Sequence, residues 1–91
     1  MATENMNTVY IDATGLVKGG EIRVKEVVLA AGSGAPATVI LSNGLTSEGD
    51  NKAKLAAVQG GTANCGSLGI FATGVYATIG GAGAVVTVVF D

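Results

Sequence analysis

The chain contains no histidine and no tryptophan, and it has a single cysteine, Cys65. Histidine is the usual proton carrier and metal ligand near neutral pH. Without it, the commonest hydrolytic triads and most zinc sites are excluded. One cysteine closes no intrachain disulfide and builds no thiolate cluster. Aromatic bulk is also scarce, at two Phe and two Tyr. From Leu55 to Phe90 there is no charged side chain at all. Such a stretch resembles a membrane segment by hydropathy alone, because about 20 apolar residues span a bilayer. Gln59, Asn64 and glycines 60, 61, 66, 69, 74, 80, 81 and 83 interrupt it, and no Lys or Arg closes its C-terminal end. No spanning helix, and no membrane partner, is expected there. The opening MATENMNTVY has no basic run leading into an apolar one, so it does not read as a secretory signal.

What is present points to a small all-β domain. Of 91 residues, 15 are glycine, against an average of roughly 7%. The chain is 48% hydrophobic and 13% charged. Those apolar residues are mostly Ala and Val, which bury little area each. A domain this size hides only about 60% of its extended-chain surface. Some apolar surface is therefore expected to be covered by other subunits. The net charge is −2, and Lys18, Arg23, Lys25, Lys52 and Lys54 are the only cations. They form no patch interleaved with aromatics, so no nucleic-acid partner is expected. Lys52 and Lys54 alternate with small residues, as on a solvated strand face.

The periodicity is that of strands. Thr8–Ala13 alternates, with Val9 and Ile11 on one face. Glu21–Ala31 begins with Ile22 and Val24 inward and Arg23 and Lys25 outward. It then becomes an apolar run, as for a strand covered on both faces or bent at a bulge. Ala37–Ser42, Ala53–Val58, Ile70–Ala72, Val75–Ile79 and Ala84–Phe90 complete the set. Glycine-bearing turns separate them, and Asn43-Gly44 suits a tight hairpin. Seven or eight short strands at a spacing of roughly 8–12 residues predict a single small β-sandwich or jelly-roll-like barrel over residues 8–91. Residues 1–7 read as a flexible polar arm. Val24, Val28, Ile40, Val86 and Val88 are expected in the core or at subunit contacts. The uncharged Ala84–Phe90 strand is expected at a sheet edge that copies of the chain would cover.

Candidate chemistry is thin. Gly32-Ser33-Gly34-Ala35-Pro36-Ala37 loosely fits a dinucleotide fingerprint, but Pro36 and Thr38-Val39-Ile40 predict a second strand instead of the required helix. Glu48, Asp50 and Asp12 are the carboxylates to consider for calcium or for a glycosidase pair. A solvated turn is the plainer expectation. Cys65 has no neighbouring cation in sequence to activate a thiolate. The four aromatics, Tyr10, Phe71, Tyr76 and Phe90, are expected as core anchors rather than a sugar platform. No catalytic residue, metal ligand or cofactor is assigned, and no enzyme is expected.

TVYIDATG, GGEIRVKEVVLAAGSG, ATVILSNG, FATGVYATI and the Val-rich terminal strand together resemble the small β-sandwich accessory proteins of tailed-phage virions. In one place the chain departs from that style. Such proteins often carry an Asp or aromatic in the short-strand turn, which here is Leu41-Ser42-Asn43-Gly44. The resemblance implies a bacteriophage structural protein of the virion, a capsid decoration or cement subunit. It implies a homo-oligomer, a homotrimer, bound to the major capsid protein or another virion protein. The alternative is a fibre or spike domain that binds a host surface glycan.

Overall fold

The computed structural model describes residues 7–90. The proposed arm falls outside them except for Asn7, which opens the first strand. Eight strands follow in order: β1 (Asn7–Ile11), β2 (Gly15–Gly19), β3 (Ile22–Ala30), β4 (Ala37–Asn43), β5 (Asp50–Ala57), β6 (Thr62–Phe71), β7 (Gly74–Gly80) and β8 (Val85–Phe90). They form two antiparallel four-stranded sheets, β1-β8-β3-β6 and β2-β7-β4-β5. The described residues contain no helix, and so no helix long and apolar enough to cross a membrane.

The strand order follows from one long hairpin. β4 pairs with β5, β3 with β6, β2 with β7 and β1 with β8, all antiparallel. Rolling that hairpin up adds β3 against β8 and β4 against β7. This is the eight-stranded jelly roll, the double-sheet solution for an all-β chain with short connections. The described residues measure 41 × 35 × 17 Å, and the thin axis holds a single layer of core side chains between the sheets.

The core is built by alternation. Ile22, Val24, Val27 and Leu29 of β3 point inward and are buried, as are Val86, Val88 and Phe90 of β8. From the other sheet come Ala37, Val39 and Leu41 of β4, Val75 and Ala77 of β7, and Ala57 of β5. Strict alternation would carry Glu26 into this layer after Ile22 and Val24. A register shift between Val24 and Glu26 prevents it, leaving Lys25 and Glu26 both exposed and returning Val27 to the core. A second shift, opposite Leu41/Ser42, makes Lys52 the extra residue of β5; Leu41 and Ser42 are both buried, and the Ser42 hydroxyl donates to Asn51 Oδ1 at 3.0 Å.

Two expectations are corrected here. Ala84–Phe90 is not an edge, because β8 lies between β1 and β3. The Asn43-Gly44 step does not close a two-residue hairpin, because six residues separate β4 from β5. The Asn43 side chain instead accepts the Thr73 N–H at 2.9 Å and ties the β6–β7 turn to the β4–β5 loop. Of the five residues expected in the core or at subunit contacts, Val24, Val86 and Val88 are buried in the core, while Val28 and Ile40 are half-buried on the outer faces.

The β7–β8 turn crosses directly over the β3–β4 loop. Gly81 has φ +105°, and a Cβ there would collide with the Pro36 carbonyl oxygen and stand 3.0 Å from Ala37 Cα. Both the conformation and the space exclude a side chain. Gly81→Ala is expected to lower stability by about 2–3 kcal/mol, read as a fall in the urea midpoint. Gly34→Ala, in the open part of the β3–β4 loop, meets nothing within 4 Å. It is expected to be neutral or to stabilise by about 0.4–1 kcal/mol.

Candidate interaction surfaces

Loops gather at two ends. At one end lie the β1–β2, β3–β4, β5–β6 and β7–β8 connections. Gly60 N–H donates to the Gly32 carbonyl at 2.9 Å, and Gln59 Nε2 donates to the Ser33 carbonyl at 2.6 Å. Thr14 Oγ1 accepts the Ile79 N–H at 2.9 Å and fastens the β1–β2 corner to β7. At the opposite end lie β2–β3, β4–β5 and β6–β7. There Gly20 N–H reaches the Thr73 carbonyl at 2.9 Å and Gly44 N–H the Gly74 carbonyl at 3.0 Å.

This arrangement separates the carboxylates. Glu48 and Asp50 sit exposed in and after the β4–β5 loop, while Asp12 sits exposed at the other end of the sandwich. Among the described residues, no group of three or more His, Cys, Asp or Glu side chains is placed to hold a metal. The Gly32–Pro36 segment is a turn leading into β4, so it offers no helix N-terminus to a pyrophosphate. Cys65 is half-buried in β6, with its thiol 3.9 Å from the Gly66 carbonyl.

Two adjoining shallow depressions lie along β3 and β6. The first, about 430 Å³, is lined by Arg23, Val24, Lys25, Ser67 and Gly69. It exists because Lys25 opposes both Ser67 and Leu68 across the register shift, with Ser67 at φ +57° and Gly69 at φ +88°. The second, about 350 Å³, is lined by Glu21, Ile22, Arg23 and Ile70. Neither brings Glu48, Asp50, Cys65 or an aromatic ring to its wall.

The aromatics divide. Phe71 and Phe90 are core anchors, as expected. Lys52 holds its ammonium 5.7 Å from the Phe71 ring centroid, a cation–π contact, so this lysine does more than solvate a strand face. Tyr76 is half-buried. Tyr10 is not a core residue, since it is 72% exposed. The signal for this was in the alternation. With Val9 and Ile11 facing the core, Tyr10 must face away. The scarcity of bulky side chains argued against that placement, and strand geometry overrides it.

Tyr10 belongs to an outer face that carries little charge. Across sheet β1-β8-β3-β6, Tyr10 pairs with Thr87, Thr87 with Val28, and Val28 with Asn64. One row on, Val85 pairs with Ala30 and Ala30 with Thr62. On the other side Thr8 pairs with Val89 and Val89 with Glu26. The charged residues Arg23, Lys25 and Glu26 occupy one end of β3, while Val28 and Ala30 occupy the other. The strand residues in that half of the outer face are therefore Val, Ala, Thr and Tyr, with Asn64 on β6.

Comparison with protein-family models, curated proteins and solved structures finds no match to this chain.

Proposed function

We propose that the chain is a non-catalytic structural subunit of a virus particle, a capsid decoration or cement protein acting through protein–protein contacts. The observation that carries this reading is the outer face of β1-β8-β3. Tyr10 and Val85 are exposed there, with Val28 and Val89 half-buried beside them, and among the strand residues of that face the half away from Glu26 carries no charge, Asp12 standing at its rim just after β1. A weakly charged sheet face that presents Tyr and Val among Thr residues suits contact with a protein partner. The partner classes are copies of the chain and the major capsid protein or another virion protein. The tailed-phage setting is supported by the resemblance in strand and turn style. The jelly roll is also the architecture of viral capsid and lectin domains, although a fold by itself assigns no activity.

A second reading is favoured by Tyr10 alone. An exposed ring between Thr8 and Thr87 offers the stacking surface and hydroxyls that a sugar uses, as in a fibre or spike domain. Against it, Tyr10 lines neither of the two depressions.

The test is to purify the particles and locate this chain by mass spectrometry and in a density map. Regular copies on the shell, contacting it through the Val28–Val85–Val89 face, are the expected result. A chain missing from washed particles refutes the reading. Glycan-array binding abolished by Tyr10→Ala would install the second one.

A further inference from the structure

The sandwich has four edge strands, β1 and β6 in one sheet and β2 and β5 in the other. Natural sheets guard such edges with charge, bulges or short irregular strands. β5 carries Asp50, Lys52 and Lys54 and has a register shift at Leu41/Ser42. β2 has only five residues, glycine at both ends, Lys18, and a register shift between Leu16 and Lys18. β6 is broken by the irregular stretch at Gly66–Gly69 and lies alongside β5. β1 is as short as β2, but within its described residues it has neither a charge nor a bulge. From Asn7 to Ile11 it carries no charge, glycine or proline, and it pairs with β8 without any shift. Its two outward residues, Thr8 and Tyr10, are both exposed.

We propose that β1 is a self-association edge, which pairs antiparallel with β1 of a second copy across a two-fold axis. The two sheets then join into one continuous eight-stranded sheet. Charge selects this occupant. A strand without charged side chains meets its own copy with no like-charge cost, and offers a charged peptide nothing to read. A two-fold axis needs one patch that complements itself. With Val9 facing its copy, Thr8 meets the partner's Tyr10 and Tyr10 meets the partner's Thr8, an aromatic–β-branched pair made twice. The joined sheet also makes one wide surface of the two weakly charged outer faces. The symmetry is two-fold, in contrast to the threefold order that the phage resemblance implies. The inference deepens the structural-subunit reading, but it is measured on the purified chain alone, so its failure leaves particle binding to be judged separately.

Light-scattering mass of the purified chain at high micromolar concentration is expected to be twice the chain mass. Thr8→Lys with Tyr10→Lys crowds like charges across the axis, and the dimer dissociation constant is expected to rise at least about a hundredfold. Thr8→Glu with Tyr10→Glu is expected to do the same. Mixing the two variants is expected to restore a dimer holding one of each, seen by native mass spectrometry. Val58→Lys, at a residue 75% exposed in the β5–β6 loop, is expected to leave the dimer intact. Should a charged variant misfold, amide exchange on the wild-type chain reads the same contact, because protection of β1 should rise with protein concentration. A wild-type monomer, a trimer, or a dimer indifferent to both charged variants overturns the proposal.

Discussion

Val88→Asp is expected to leave the chain unable to fold cooperatively at room temperature. Val88 is fully buried on β8, and its cross-strand neighbours are Val9 and Val27. The surrounding core is aliphatic and aromatic, with no cation in it. A carboxylate there loses its water and gains no partner, which costs several kcal/mol. A domain of this size has a total stability of about 5–15 kcal/mol. The neighbouring residue provides the control. Thr87 is half-buried on the opposite face of the same strand, where a side chain reaches water. Thr87→Asp is expected to cost about 1 kcal/mol or less. Thermal melts followed by far-UV circular dichroism distinguish the two. A soluble Val88→Asp chain with an unchanged melting temperature would mean that β8 is set one residue out of register, since a single-residue slip exchanges the faces.

Phe71→Ala is expected to cost about 3–5 kcal/mol. Phe71 is fully buried and is the largest such side chain. The core layer as a whole is mostly Val and Ala, which lack the reach to close the cavity left behind. The substitution also removes the ring beneath the Lys52 ammonium. Urea unfolding should show a large drop in midpoint with little change in slope. Tyr10→Ala, at a residue 72% exposed, is expected to move stability by no more than about 0.5 kcal/mol. If both aromatics cost the same, Tyr10 would be packed in a way this fold does not provide.

Six of the eight strands are legible in the sequence; of β6 only the last residues are, and the glycines at both ends of β2 suggest turns instead of a strand. Their composition explains this. GLVKG and TANCGSLGIF have too few β-branched residues and too many glycines to show a period of two. Each is a strand because a neighbour supplies the hydrogen-bonding ladder, β7 for β2 and β3 for β6. Strand propensity is largely a matter of that context. The same limit explains the error over β8. Its run of Val and Phe shows a strand with no charge to protect it, which fits an edge or a fully paired centre equally well. Among the candidate chemistry, the separation of Asp12 from Glu48 and Asp50 was equally invisible, since it depends on which end of the sandwich each loop reaches.

The amino-acid sequence by itself determined the class of the fold and the direction of many side chains. Alternation in IRVKEVVLA set Ile22 and Val24 against Arg23 and Lys25, and alternation in TVYI set Val9 and Ile11 against Tyr10. These are local facts, because a strand turns successive side chains to opposite faces whatever it packs on. Only the tertiary structure decided strand order, and with it which strands lie at the edges of the sheets. β8 became a central strand and β1 an edge because the chain rolls up as one long hairpin, bringing residues 7–11 against 86–90. That pairing joins segments more than 70 residues apart, and no local pattern encodes it.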